Sequence, residues 1–182
     1  MQGHIFNIQD NGKLVKMNEE PSPNEDRFQE LLASYPDLLA GDQINSDAPR
    51  EWLLVKREMG VPGEEDGGDR WSVDHLFLDQ DGIPTLVEVK RSCDTRIRRE
   101  VVGQMLDYAA NALVYWPVEK IQAEFEKGCD DPDTRLTEFL GEDVSPNQFW
   151  ERVKTNLQAG RVRMLFVADE IPAELLERKG GN

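Results

Sequence analysis

Cysteine is scarce in this chain. Cys93 and Cys129 are the only two in 182 residues, and they form no motif. That argues against a disulfide scaffold and a cysteine-built metal site, and it fits a reducing cytoplasm. Long apolar runs are missing too. No stretch approaches the roughly 20 residues that span a bilayer, so no membrane association is expected. The N-terminal MQGHIFNIQDNGK has no basic region followed by an apolar stretch, so no signal peptide is expected. No internal repeat is visible. There is no glycine-rich phosphate loop of the nucleotide-enzyme kind, and no helix-turn-helix or zinc finger. Basic residues are outnumbered, 21 Lys and Arg against 36 Asp and Glu, for a net charge of −15. Spread evenly, that charge would oppose a phosphate-rich partner.

The charge is not spread evenly. Residues Lys90 to Arg99 carry Lys90, Arg91, Arg96, Arg98 and Arg99 against the single acid Asp94, whereas residues Glu119 to Asp143 carry nine acids against three bases. Hydrophobic residues make up 38% and charged residues 31%, a globular composition, and the length suits one domain with a substantial core. HIFNIQDNGKLVKM alternates around Asn11-Gly12, a hairpin signal, and gives an N-terminal hairpin extension over residues 1–20. After the breaker EEPSPN, NEDRFQELLASYPDLLAG reads as a helix. Ser22 or Asn24 would cap it, and Phe28, Leu31, Leu32 and Tyr35 form its apolar stripe. Pro36 ends this helix or starts a second turn. EWLLVKREMG, RWSVDHLFLD and PTLVEVKRS read as strands, and RIRREVVGQMLDYAANALVYW as a long helix. Residues 118–160 form an acidic helical insertion. RVRMLFVADE is a last strand, and PAELLERK starts a helix. The abrupt KGGN ending suggests a chain that continues. The order predicts a mixed α/β domain over 21–182.

The two central strands are joined by DQDGIP. Gln80-Asp81-Gly82 suits a three-residue loop with Gly82 in the left-handed position. That register sets Asp79 opposite Ile83 and Asp74 opposite Glu88. Like charges facing each other across a ladder are destabilising, more so when buried, unless a cation or proton resolves them. Alternation puts Leu86, Glu88 and Lys90 on one face and Val87 and Val89 on the other. Two hard oxygen ligands with room for water suit Mg²⁺ or Mn²⁺. A lysine beside them can orient the attacking water, take its proton or stabilise developing charge. A plainer reading is a surface Glu–Lys pair on a wet face, but that face would then also expose Leu76 and Leu86.

On the following helix, Val101, Met105, Leu106, Ala109 and Leu113 make the apolar face. Gln104 and Tyr108 lie one turn apart beside it. Arg96, Arg98 and Arg99 precede or open this helix. The helix dipole disfavours cations there, but a phosphate could be held by them and by free backbone N–H groups. Taken singly, Tyr108 reads as core, Gln104 as helix surface and the arginines as solvated.

Together, Asp74, Glu88-Val89-Lys90, Gln104 and Tyr108 make D-x13-E-x-K followed by Q-x3-Y. This pattern resembles the PD-(D/E)XK, or restriction-endonuclease-like, nuclease superfamily over about residues 25–116, with 161–169 as its fourth strand. The segments FVADEIP and RREVVGQMLDYAA are also similar to segments of bacterial members. The resemblance implies a central mixed four-stranded sheet flanked by helices. It implies Asp74 and Glu88 as ligands of Mg²⁺ or Mn²⁺, with the Val89 carbonyl as a further ligand. Lys90 would position or activate the water, and Gln104 and Tyr108 would support the site or touch the nucleic-acid backbone. Of the first-helix acids Glu25, Asp26 and Glu30, Glu25 lies on the Phe28/Leu32 side and is the expected fourth metal-site residue. Arg91, Arg96, Arg98 and Arg99 would meet nucleic acid, DNA in preference to RNA. A homodimer is compatible with cutting both strands. Val73 stands where the superfamily's signature has proline. His75, beside Asp74, points to the other face and reads as structural. The alternative is a catalytically silent nuclease-fold module that uses its acidic surface for protein interaction.

Overall fold

In the computed structural model, which describes residues 5–18, 24–64, 68–91, 100–141 and 144–169, the Asn11-Gly12 signal becomes a tight turn. Gly12 takes φ +76, which glycine enters without steric cost. It joins β1 (Phe6–Ile8) to β2 (Leu14–Lys16) as an antiparallel pair. Helix α1 (Glu25–Ser34) begins at Asn24, whose side chain accepts the Arg27 backbone N–H at 2.6 Å. Pro36–Leu38 then forms a 3-10 turn, and α2 (Gly41–Ile44) a single helical turn. The latter is not evident in the sequence pattern.

The three expected strands follow as β3 (Trp52–Pro62), β4 (Asp69–Asp79) and β5 (Pro84–Lys90). Helix α3 (Glu100–Tyr115) leads into the helical segment α4 (Val118–Lys127), α5 (Pro132–Leu140) and α6 (Pro146–Gln158), and β6 (Arg163–Ala168) closes the described chain. The sheet order is β3-β4-β5-β6, antiparallel except for the parallel β5–β6 pair. This is the mixed four-stranded sheet expected, flanked by helices and preceded by a hairpin. The expected C-terminal helix from PAELLERK lies outside the described residues.

The sheet's two faces bury separate cores. One gathers Leu53, Met59, Leu76, Leu86, Met105, Tyr108 and the apolar sides of α4, α5 and α6. The other gathers Leu32 of α1 with Trp52, Phe77, Val87 and Val89. The segment 118–160 therefore contributes to the main core. It covers the sheet face that α3 alone leaves open.

One irregularity matters for the site. Strand β3 shifts register between Leu54 and Lys56, and Glu58 takes φ +49, the one non-glycine residue with positive φ among those described. Glu58 lies between Arg57↔His75 and Met59↔Val73, opposite Asp74. On β4, Val73 packs in the same cluster as Leu76 and Leu78, although an odd interval separates it from both. A regular strand would put them on opposite faces. The alternation of β4 thus changes phase at Asp74.

Candidate active site

The β4–β5 hairpin adopts the register the turn chemistry demands. Gly82 has φ +72, and the Asp79 N–H meets the Ile83 carbonyl. The ladder runs from Leu78↔Pro84 to His75↔Val87. One step further the strands part. The Val89 N–H donates to Asp74 Oδ2 at 2.6 Å, so a side chain replaces the backbone acceptor that the departing strand withdraws. Asp74 and Glu88 are thereby brought together, 8% and 3% exposed. Leu76 and Leu86 on the same face are fully buried. A surface pair on a wet face does not describe this arrangement.

Lys90 Nζ lies 3.0 Å from Glu88 Oε1 and 3.1 Å from Glu25 Oε1. Glu25 is the first residue of α1, and α1 packs on β3, β4 and β5. Of the three candidate acids on that helix, Glu25 is the one paired with Lys90. Asp26 pairs with Arg57 at 2.8 Å, and Glu30 with Arg27 at 2.6 Å in solvent. Glu88 Oε2 is buried with no hydrogen-bond partner. Leaving a buried charged acceptor unsatisfied costs more than the roughly 1–3 kcal/mol typical of a neutral group.

Electrostatics follow from this crowding. Burial, reinforced by neighbouring Glu88, pushes the Asp74 carboxyl up from 3.8 to about 7. Burial also raises Glu88, and Lys90 and the Asp74 backbone N–H, which donates to the carboxylate, oppose that rise. For Lys90, burial works against the charge, but Glu88, with its direct hydrogen bond, and Asp74 outweigh it and hold the ammonium protonated. Tyr108 is 3% exposed. Burial raises its hydroxyl, against the Gln104 hydrogen bond and with further help from Glu88 and Asp74. Gln104 Nε2 donates to Tyr108 Oη. So α3 brings its Q-x3-Y pair into the field of the carboxylates.

Among the described residues, no group of three or more His, Cys, Asp and Glu side chains is arranged to hold a metal ion. The site offers two close carboxylates, and the third acid, Glu25, is taken up by Lys90. The Val89 residue touches Asp74 through its N–H. Arg91 is half-buried with Nε unpartnered, whereas Arg96, Arg98 and Arg99 lie outside the described residues. His75 is fully buried on the other face, with Nε2 2.9 Å from the Gln29 carbonyl of α1. Burial lowers its pKa, and it faces α1, away from the carboxylates, as alternation predicts.

Two polar or aromatic groups near the site escaped the sequence reading. Trp71 lies 6.2 Å from Tyr108, ring centre to ring centre, and the Arg70 guanidinium lies 4.8 Å above the Trp71 ring. Regular alternation counted from Asp74 would put Trp71 on the opposite face, and nothing local in the sequence marks the phase change. A groove of about 640 Å³ between α1, β3 and α4, lined in part by Leu54, Arg57 and Phe125, excludes the carboxylates. So does a second, of about 740 Å³, beside α6. No helix of the described residues is long and apolar enough to cross a membrane. No protein-family model, curated protein or solved structure matches the chain.

Proposed function

We propose that this chain is a Mg²⁺- or Mn²⁺-dependent phosphodiesterase that hydrolyses nucleic acid, DNA in preference to RNA. The observation that carries the reading is the burial of two neighbouring carboxylates, Asp74 and Glu88, at 8% and 3% exposure. Two carboxylates held together out of water repel each other, and a hard cation is a ligand that would relieve both. The donor set fits such an ion. Asp74 and Glu88 would hold it, with the Val89 carbonyl as the further ligand that the superfamily resemblance implies. When bound, a divalent ion supplies charge stabilisation at the phosphoryl oxygens and lowers the pKa of water.

The chain's own groups then have distinct tasks. Lys90, held charged by its carboxylate neighbours, orients the attacking water and stabilises negative charge rather than taking a proton. Glu25 anchors the Lys90 ammonium from α1, which leaves the lysine few rotamers to sample. Tyr108, with its oxygen already accepting from Gln104, keeps its own proton to donate to a phosphate oxygen.

The test is incubation of plasmid and single-stranded DNA with the protein in Mn²⁺ and in chelator, alongside Lys90→Ala. Cleavage should require Mn²⁺ and fall at least about 100-fold in the variant. Equal cleavage by both proteins, or none under any condition, would sink the reading. The second result would leave the silent interaction module, which the charge of −15 favours.

A further inference from the structure

We infer that Trp71 and Arg70 form a nucleotide platform beside the carboxylates, where Trp71 stacks a base and Arg70 meets an adjacent phosphate. The inference deepens the proposed function, because it names a single-stranded or unpaired stretch as what the site receives.

The geometry comes from the phase change in β4. Because alternation breaks at Asp74, Trp71 turns toward α3 and packs on Tyr108, with ring planes at 47° and centroids 6.2 Å apart. Tyr108 is itself close enough to Glu88, Asp74 and Lys90 to feel their charges. One side of Trp71 thus touches the residue that links it to the carboxylates. Trp71 is only half-buried, and Arg70, which is exposed, lies across its ring. Gly63 shapes the flank. A Cβ there would lie 2.7 Å from Arg70 Cδ and 3.5 Å from Trp71 Cζ3, so a larger residue would push the arginine off the ring.

A core tryptophan closes its ring against apolar neighbours on both sides. Here the outer cover is a cation on a flexible stem. A cation over an exposed ring is held more weakly than a base stacked on one. A base can therefore displace the guanidinium, which swings to the neighbouring phosphate, where a planar fork binds well. Stacking reads no sequence, since every base has a π-face. In a duplex the bases are already stacked on each other, so the platform selects unpaired ones. On an acidic chain it also concentrates attraction in one place without requiring a basic surface.

The test measures binding in chelator, where no cleavage occurs. A short fluorescein-labelled oligothymidylate and an abasic oligomer of equal length are titrated with wild type, Trp71→Leu, Trp71→Phe and Arg70→Gln, each checked for folding by circular dichroism. Trp71→Leu should weaken oligothymidylate binding roughly 5- to 150-fold and leave the abasic oligomer unchanged. Trp71→Phe should keep most of the affinity, and Arg70→Gln should weaken both oligomers alike. Unchanged affinity of Trp71→Leu, equal binding of the two oligomers by wild type, or no binding by wild type would each overturn the platform. Cleavage in Mn²⁺ judges the catalytic reading separately. Trp71-dependent binding without cleavage would keep the platform and remove the enzyme, and Lys90-dependent cleavage with Trp71 irrelevant would do the reverse.

Discussion

At the scale of single residues, Asp74 is where the site's electrostatics can be measured. Its folded pKa is raised from 3.8 to about 7, by burial first and Glu88 second. The folded state therefore holds a proton that the unfolded state releases between about pH 4 and pH 7. Where the folded state binds more protons, stability falls as pH rises. Metal-free wild type should lose stability across that window, and Asp74→Asn, which has no proton to release, should not. His75 works in the opposite sense. Burial depresses its pKa, so its contribution is lost as pH falls below its ordinary value near 6.5. The quantity to follow is thus the difference in Tm between wild type and Asp74→Asn from pH 5 to pH 8, not wild type alone. It should widen in favour of the variant toward pH 8, and Mn²⁺ should narrow it by binding wild type. At about 1.4 kcal/mol per pKa unit, the pH-dependent difference is at most several kcal/mol. A flat difference would show that Asp74 is not the crowded group.

At the scale of elements, the β4–β5 turn sets which carboxylates meet, and α6 holds that turn. Asn156 of α6 donates through Nδ2 to the carbonyls of Asp81 and Gly82, 3.0 Å each. Gly82 sits at φ +72, and a Cβ there would come within 3.0 Å of the Val153 backbone nitrogen. Gly82→Ala should therefore cost at least about 1 kcal/mol, from the left-handed backbone and the close approach together, read as a drop in urea midpoint. A loss well below that would mean the turn relaxes freely and does not fix the register. This turn is also why so much of the site was legible. DQDGIP dictates one register, that register opposes Asp74 to Glu88, and alternation then separates Lys90 from Val89. Glu25 could be picked from three acids because the apolar stripe of α1 fixes which side faces the sheet. What stayed hidden depends on distant partners. Asp79 reads as a turn residue, yet it is fully buried. It pairs with Arg163 at 2.9 Å across 84 positions and accepts the N–H groups of Asp81 and Ile83. No local window of sequence marks the positive φ of Glu58 or the phase change opposite it.

At the scale of the whole molecule, the net charge of −15 opposes the approach of any polyanion, while the contacts proposed here act only at short range. Raising salt from about 10 to about 100 mM shortens the Debye length from about 30 to about 10 Å. It should screen the long-range repulsion before it weakens the few local phosphate contacts. Association of single-stranded DNA should therefore speed up or stay level over that range, as followed by stopped-flow fluorescence. A steep decline, as basic nucleic-acid binders show, would mean that a larger positive surface than the one described governs the encounter.

The sharing of one ammonium among Glu25, Glu88 and Asp74 has a consequence for the ion that the proposed function requires. With every group ionised, three negative charges and one positive leave it two short of neutrality. A singly charged ion would leave the deficit half-filled, and a triply charged one would overshoot it and repel the lysine. Under the proposed function the cluster would therefore sort ions by valence before radius, through a residue that need not touch them.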